Sequence, residues 1–218
     1  MSSPTAIPIT RHKADPDRVS AIRQAVRGVK VGPRGPEQRI AQPEEAAAFQ
    51  SFLQDPRVHA AIYSLPRPLT DTSVRDFIAH YQEAQVRGEG LLLLTWDEHG
   101  HVASYSSLEV WPQWGAGELT GALHPDRQSR GSGVAGAAET FEWMFETLKL
   151  DLICATGALN NQRTARMLDG LGFDRVGEIV SQRPDGTTRP SRVWEITHQA
   201  WRSDAAHRNE QLTGRSAS

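Results

Sequence analysis

Apolar residues recur every three or four positions in several stretches of the chain, which predicts amphipathic helices. Four stretches carry such a stripe clearly. A shorter one follows Asp15-Pro16-Asp17, a pattern typical of a helix start. The predicted apolar faces comprise Val19, Ile22 and Val26; Ala46, Phe49, Phe52 and Leu53; Val74, Phe77, Ile78 and Tyr81; Val134, Ala138, Phe141, Phe145 and Leu148; and Ala165, Leu168 and Leu171.

Short apolar runs between these stripes predict β-strands. They cover Leu91 to Trp96, His101 to Val110, Gly117 to His124, Leu150 to Thr156, Asp174 to Gln182 and Thr188 to His198, with a first strand near Val29 to Val31 or Gln38 to Ala41. A turn at Asp97 to Gly100 makes two of them a hairpin. Two strands joined by a long helix run parallel, with a right-handed crossover. The order of elements therefore predicts an α/β fold with a mixed sheet.

Helix boundaries can also be predicted from capping residues. We expect Asp71 or Thr72 to cap the helix that contains Val74 and Tyr81. We expect Asp55-Pro56 to end the helix that contains Ala46 and Leu53. Asn161 is a good N-cap for the last of the four, and Gly172 is a good stop for it.

A glycine-bearing loop joins the strand at Gly117 to His124 to the longest helix. It contains Gln128-Ser129-Arg130-Gly131-Ser132-Gly133. Glycines let the backbone turn its N–H groups inward, and the following helix directs its positive N-terminal end at the same place. The stretch from residue 128 to 134 is therefore predicted to cradle a phosphorylated ligand.

Three kinds of phosphate loop compete for this stretch. A nucleotide-hydrolase loop needs a lysine after its last glycine, whereas Val134 follows Gly133 here. A dinucleotide fingerprint is matched by Gly131 to Gly136, but a polar segment separates it from the strand, and Asp151 precedes the next strand instead of ending it. A pyrophosphate loop of the form Gln-x-x-Gly-x-Gly is matched at every position.

A second motif lies downstream, where Asn161 is followed by Thr164, Leu168 and a Gly172-Phe173 pair. Together the two motifs resemble the GCN5-related N-acetyltransferase (GNAT) family, over roughly residues 37 to 198. The Asn-x-x-Thr and Leu-Gly-Phe details, and Glu118 on the strand before the loop, are similar to the RimJ/RimL-like branch.

The resemblance implies a GNAT-like fold and acetyl-CoA as co-substrate. The fold is a mostly antiparallel central sheet flanked by helices, with a splayed pair of parallel strands at the cofactor site. Backbone N–H near Leu123 would stabilise the oxyanion, and Asn161 would bond the pantetheine arm. The residues implied to bind the cofactor are Leu123, His124, Gln128, Ser129, Arg130, Gly131, Ser132, Gly133, Val134, Asn161 and Thr164.

The implied reaction is direct attack of a primary amine on the thioester. Glu118 would be the catalytic base, acting through a water. The alternative is that Glu118 is a structural carboxylate of the strand. Many family members carry a tyrosine where this chain has Leu168, so solvent or Thr164 would protonate the thiolate. Cys154 is expected to be a core residue. The mechanism involves no metal.

The acceptor would be a protein N-terminus or a small-molecule amine. Its pocket would be lined by the segment between the first two clear helices and by the last hairpin. These supply Tyr63, Arg67, Arg183, Arg189 and Arg192. The arginines would suit an anionic acceptor, or they are solvated surface charges. Two other functions stay open: a CoA-binding protein without turnover, and an acyltransferase that uses another acyl-CoA.

Composition narrows the remaining choices. The 218 residues suit one domain with a full core, and the net charge of −2 does not favour nucleic acid as a partner. A single cysteine and the lack of a leading or membrane-length apolar run predict a cytoplasmic protein without a membrane partner. We expect an N-terminal extension at 1–36, an acetyltransferase domain at 37–202 and a disordered tail at 203–218. The extension would pack on the domain as a surface helix, form a homodimer arm or cover the acceptor site.

Overall fold

One eight-stranded sheet organises the part of the chain that the computed structural model describes, which comprises residues 7–60, 62–127 and 132–205. The strands are β1 Val31–Gly32, β2 Gly35–Ile40, β3 Gly90–Trp96, β4 Val102–Trp111, β5 Ala116–Leu123, β6 Leu152–Ala158, β7 Asp174–Gln182 and β8 Thr188–Thr197. Their order is β1-β2-β3-β4-β5-β6-β8-β7, with β5 and β6 parallel and the other neighbours antiparallel. The predicted α/β fold with a mixed, mostly antiparallel sheet is confirmed.

Helices cover both faces of this sheet. They are α1 Pro16–Gly28, α2 Ala46–Leu53, α3 Pro56–His59, α4 Asp71–Arg87, α5 Ser132–Glu146, α6 Gln162–Gly170 and α7 His198–Ser203. Within the described ranges, none of them is long and apolar enough to cross a lipid bilayer.

Alternate residues of β3 point into two separate cores, as expected for a strand buried on both faces. Leu91 and Leu93 pack with α1, α5 and α6, whereas Leu92 and Leu94 pack with α2 and α4. Ile22 of α1 has no exposed surface and belongs to the first core. Helix α1 therefore packs on the domain.

Capping explains where the helices begin, and it corrects one prediction. The N-cap of α4 is Thr70, because its hydroxyl accepts the N–H of Ser73 at 3.1 Å; the expected caps Asp71 and Thr72 were wrong. Asp55 caps α3, so the chain starts another helical turn at Pro56. Helix α7 was not predicted; it is a six-residue helix capped by Thr197.

Residues 7–14 form an N-terminal strap that crosses the sheet at β8. The buried carboxylate of Glu195 accepts the N–H of Ile9 at 2.6 Å and the N–H of Thr10 at 3.1 Å. Farther along, the N–H of Ala14 donates to the carbonyl of Gln113 at 3.0 Å. A buried carboxylate needs hydrogen-bond donors, so the strap and Glu195 stabilise each other.

Strands β5 and β6 pair over only three residues and then diverge. Ala116–Glu118 pairs with Leu152–Cys154, but β5 continues along β4 as far as Leu123. Strand β6 meanwhile stays with β8 as far as Ala158. The parallel pair is therefore splayed beyond Glu118, as the sequence resemblance implies.

Replacing Glu195 with leucine should release the strap. The substitution keeps the bulk but leaves the N–H groups of Ile9 and Thr10 without their acceptor. We expect amide hydrogen exchange at these two residues to accelerate about 10- to 100-fold. Glu195→Gln keeps one acceptor oxygen and should cause a smaller increase. Unchanged exchange in the leucine variant would show that Glu195 does not hold the strap.

Candidate functional site

A cavity of about 810 Å³ opens where β5 and β6 part. One end is lined by β5 and by the first turns of α5 and α6. The other end is lined by the strap, by the segment that follows α3 and by the β7–β8 hairpin. The lining includes Ile7, Tyr63, Glu118, Leu119, Thr120, Gly121, Leu123, Gly133, Thr156, Asn161, Thr164, Ser181 and Arg189.

The free edge of β5 turns backbone N–H groups toward this gap. The N–H of His124 donates to the carbonyl of Ala103 on β4 at 2.8 Å. Because N–H groups alternate along an antiparallel strand, those of Gly121 and Leu123 point away from β4, and both residues lie beyond the last pair that β5 makes with β6. The N–H of Leu123 thus has the orientation that the oxyanion hypothesis requires.

Gly121 marks a close approach between β4 and β5. A β-carbon at this position would collide with the carbonyl oxygen of Tyr105. Only glycine fits there without a backbone shift. The strand beside the gap is thus shaped by a residue without a side chain.

Glu118 lies at the point where the two strands separate. Burial raises the pKa of its carboxyl to about 7. The hydroxyl of Thr156 donates to it at 2.7 Å and opposes this rise, whereas the charge of Glu109, directly opposite on β4, adds to it. A carboxyl poised near neutral pH can exchange a proton with a bound group under ordinary conditions.

Cys154 is the neighbour of Glu118 on β6 and is fully buried. Burial and the nearby carboxylates of Glu195 and Glu118 raise the pKa of its thiol, which keeps the thiol protonated. The structure agrees with the expected core role and gives no support to a nucleophile.

The first turns of α5 and α6 complete the end of the cavity that β5 lines, which we call the predicted cofactor end. Gly133 lines the cavity in the first turn of α5, where the N–H groups have no partners within the helix. The side chain of Asn161 accepts the N–H of Thr164 at 3.1 Å and caps α6, as predicted. Leu168 is buried and offers no hydroxyl to the cavity.

Two predicted cofactor residues do not line the cavity. The ring of His124 lies 6.0 Å from that of Phe52, and its Nδ1 accepts the N–H of Asp126 at 3.3 Å. Val134 packs against the first core instead. Gln128, Ser129, Arg130 and Gly131 lie outside the described residues, as does the side chain of Ser132.

Sequence reasoning missed several residues that line the cavity, and Thr156 and Ile7 are two examples. Thr156 is a polar residue inside an otherwise apolar strand, and that signal could have identified it. Ile7 lines the cavity because the strap crosses the sheet there. Nothing in the local sequence indicates where the strap lies.

Comparisons with known proteins agree with this geometry. The family model described as "Acetyltransferase (GNAT) domain" matches residues 39–174. No curated protein has a significant sequence match to the chain.

Three solved structures illustrate the similarity in fold. RimJ from Mycobacterium smegmatis, in complex with CoA-disulfide, has a TM-score of 0.67 and 19% identity over 82% of this chain and 88% of its own. Ribosomal-protein-S5-alanine acetyltransferase from Vibrio fischeri has a TM-score of 0.63 and 19% identity over 75% and 93%. Spermidine N-acetyltransferase from Vibrio cholerae, in complex with CoA and spermine, has a TM-score of 0.62 and 13% identity over 75% and 96%.

A methyl group at Gly121 should disturb the strand beside the gap. Because the β-carbon of Gly121→Ala would meet the Tyr105 carbonyl, we expect the free energy of unfolding to fall by about 1–3 kcal/mol in urea titrations. Gly28→Ala is the control, since a β-carbon there meets nothing within 4 Å, and it should be neutral or slightly stabilising. Equal stabilities of the two variants would contradict the close approach.

Proposed function

We propose, from the premise that this chain belongs to the GNAT acetyltransferase family, that it transfers the acetyl group of acetyl-CoA directly to a primary amine. The amine belongs to a protein N-terminus or to a small molecule. The observation that carries the proposal is the position of Glu118: a carboxyl with a pKa of about 7 stands where β5 and β6 open into the cavity.

The cavity has room and hydrogen-bonding groups for an extended co-substrate. The gap-facing N–H group of Gly121 suits an amide carbonyl of a pantetheine arm. Asn161 uses its side-chain oxygen as a helix cap, which leaves its amide N–H₂ group to donate. The loop at residues 128–131 and the first turn of α5 would hold the pyrophosphate. We propose residues 37–202 as the catalytic domain.

Glu118 would act on the incoming amine. A protonated amine has no lone pair for attack, so the base removes a proton, through a water, before or during C–N bond formation. Acetyl-CoA supplies the activated acyl carbon, and its C–S bond breaks as the amide forms. The N–H of Leu123 would donate to the developing oxyanion, a contact worth about 3 kcal/mol. Thr164 or solvent would return a proton to the leaving thiolate.

Two other functions share the same scaffold. A CoA-binding protein without turnover would keep the cofactor contacts, but it would not require Glu118 as a general base. An acyltransferase with another acyl-CoA would differ at the end of the cavity that receives the acyl group. A panel of acyl-CoA donors distinguishes acetyl transfer from transfer of another acyl group. Single-turnover assays with many amines distinguish a transferase from a CoA-binding protein without turnover.

Calorimetric titration tests the cofactor proposal. We expect one-to-one binding of acetyl-CoA with micromolar affinity, about −8 kcal/mol, and no binding of NADH. Gly131→Glu should weaken acetyl-CoA binding at least about 100-fold, because the loop would carry bulk and negative charge. Gly28→Glu adds the same side chain at an exposed site with open space around it and should bind normally. Binding of NADH alone would instead support the dinucleotide fingerprint.

The pH dependence of the reaction tests the role of Glu118. Only the deprotonated carboxylate can accept a proton, so activity should fall as pH drops through about 7. Glu118→Gln should lower kcat/KM about 100- to 10,000-fold.

Substitutions of the two residues beside Glu118 should shift the acidic limb of the pH–activity profile in opposite directions. Thr156→Val removes a donor that favours the charged form, so the limb should shift upward by about one pH unit. Glu109→Gln removes a repelling charge and should shift it slightly downward. All variants are compared with one acceptor amine, whose own titration then cancels. Limbs that do not move would exclude Glu118 as the titrating base.

A further inference from the structure

Arg189 lies on the same face of the sheet as Glu118 and lines the same cavity. Glu118 pairs with Cys154, and Cys154 pairs with Glu195, so these three residues share one face across β5, β6 and β8. Every second residue of β8 points to this face, which includes Ser191 and Arg189. The arginine therefore faces the end of the cavity that the strap and the β7–β8 hairpin line.

Contacts with its neighbours hold the guanidinium of Arg189 in place. Its carbon Cζ lies 3.9 Å from the ring centroid of Tyr63, and that of Arg183 lies 4.1 Å from the same centroid. The Nε–H of Arg189 donates to the hydroxyl of Ser191 at 3.3 Å. A cation fixed by stacking loses less conformational freedom when it binds a ligand.

This end of the cavity carries an excess of positive charge. Arg67 and Arg183 each have a buried Nε–H group with no acceptor among the residues that the structure describes. Burial lowers the pKa of Arg189; the neighbouring Tyr63 opposes this fall, and repulsion by Arg183 adds to it. Poorly hydrated guanidinium groups bind carboxylates and phosphates strongly, often through two parallel hydrogen bonds.

Two arginines on neighbouring elements have carboxylate partners. Arg57 pairs with Asp55 at 2.7 Å, and Arg192 pairs with Glu178 at 3.4 Å. The acidic Asp185 lies near Arg183 and Arg67, but it is exposed at the tip of the hairpin. Arg183 and Arg189, both stacked on Tyr63, therefore give this end of the cavity its positive charge.

We propose that the acceptor of this enzyme carries an anionic group, a carboxylate or a phosphate, and that Arg189 recognises this group while the amine reaches Glu118. The proposal rests on the proposed acetyl transfer and names the class of its acceptor. It disfavours polyamines, because a polycation would meet Arg189 in the cavity, with Arg183 stacked on the same Tyr63 ring.

A panel of charge-matched acceptors tests the proposal. It contains tripeptide amides with aspartate, asparagine or lysine at the second position, together with phosphoethanolamine, ethanolamine and spermidine. We expect the anionic member of each set to exceed its neutral counterpart about 10- to 100-fold in kcat/KM. The peptide set and the ethanolamine set distinguish a carboxylate from a phosphate. Equal or higher rates with the neutral or cationic acceptors would overturn the proposal.

Variants locate the recognition at Arg189. Arg189→Gln should remove most of the preference for the anionic acceptor and change kcat/KM for the neutral one little. Arg75→Gln makes the same charge change on α4, where Arg75 pairs with Asp71 at 2.7 Å and does not line the cavity, and it should keep the preference. The panel with unaltered protein decides the proposal even if Arg189→Gln fails to fold.

A binding assay separates this inference from the proposed function. If acetyl-CoA binds but no amine is acetylated, the transferase proposal fails. The anion site is then tested by measuring the affinity of the CoA-loaded protein for the N-acetylated peptides. Tighter binding of the N-acetylated aspartate peptide than of the asparagine peptide would still support the anion site. Equal affinities would overturn it.

Discussion

The divergence of β5 and β6 is the constraint on which the rest of the site depends. The two strands share three residue pairs and then separate, so beyond Glu118 strand β5 stays paired with β4 while β6 turns away from it. Unpaired backbone groups inside a protein are costly unless something pairs with them. A ligand with its own amides, such as the pantetheine arm of the proposed co-substrate, would pair with this edge of β5. Gly121 allows β5 to approach β4 closely, because it has no β-carbon to collide with the Tyr105 carbonyl. Glu118 is in the last residue pair before the two strands separate.

A row of carboxylates crosses the sheet at the same level. Glu109, Glu118 and Glu195 occupy neighbouring or near-neighbouring strands, with Cys154 between the last two. Their environments differ, and so do the roles that they can have. Glu195 accepts two backbone N–H groups from the strap, which gives it a structural role. Glu118 receives one hydroxyl and is otherwise desolvated, which leaves its proton labile near neutral pH.

Much of the fold could be predicted because its elements are encoded locally. Apolar periodicity identified the four main helices and the long strands, and the parallel pair followed from the helix between β5 and β6. The strap and α7 were missed for a physical reason. The strap is held by Glu195, which lies more than 180 residues away, and α7 is too short to show a stripe. Thr70 was missed as a cap because two polar residues follow it directly.

The two ends of the cavity differ in how far sequence can describe them. The cofactor end is built from the continuous stretch between Glu118 and Leu168, where spacing carries the information. The acceptor end is assembled from the strap, from residues after α3 and from the β7–β8 hairpin, so only the folded chain brings Ile7, Tyr63 and Arg189 together. Segments far apart in sequence can change independently of the cofactor loop. Solved structures with a similar fold include acetyltransferases named for a ribosomal protein and for spermidine, so the fold alone does not determine the acceptor.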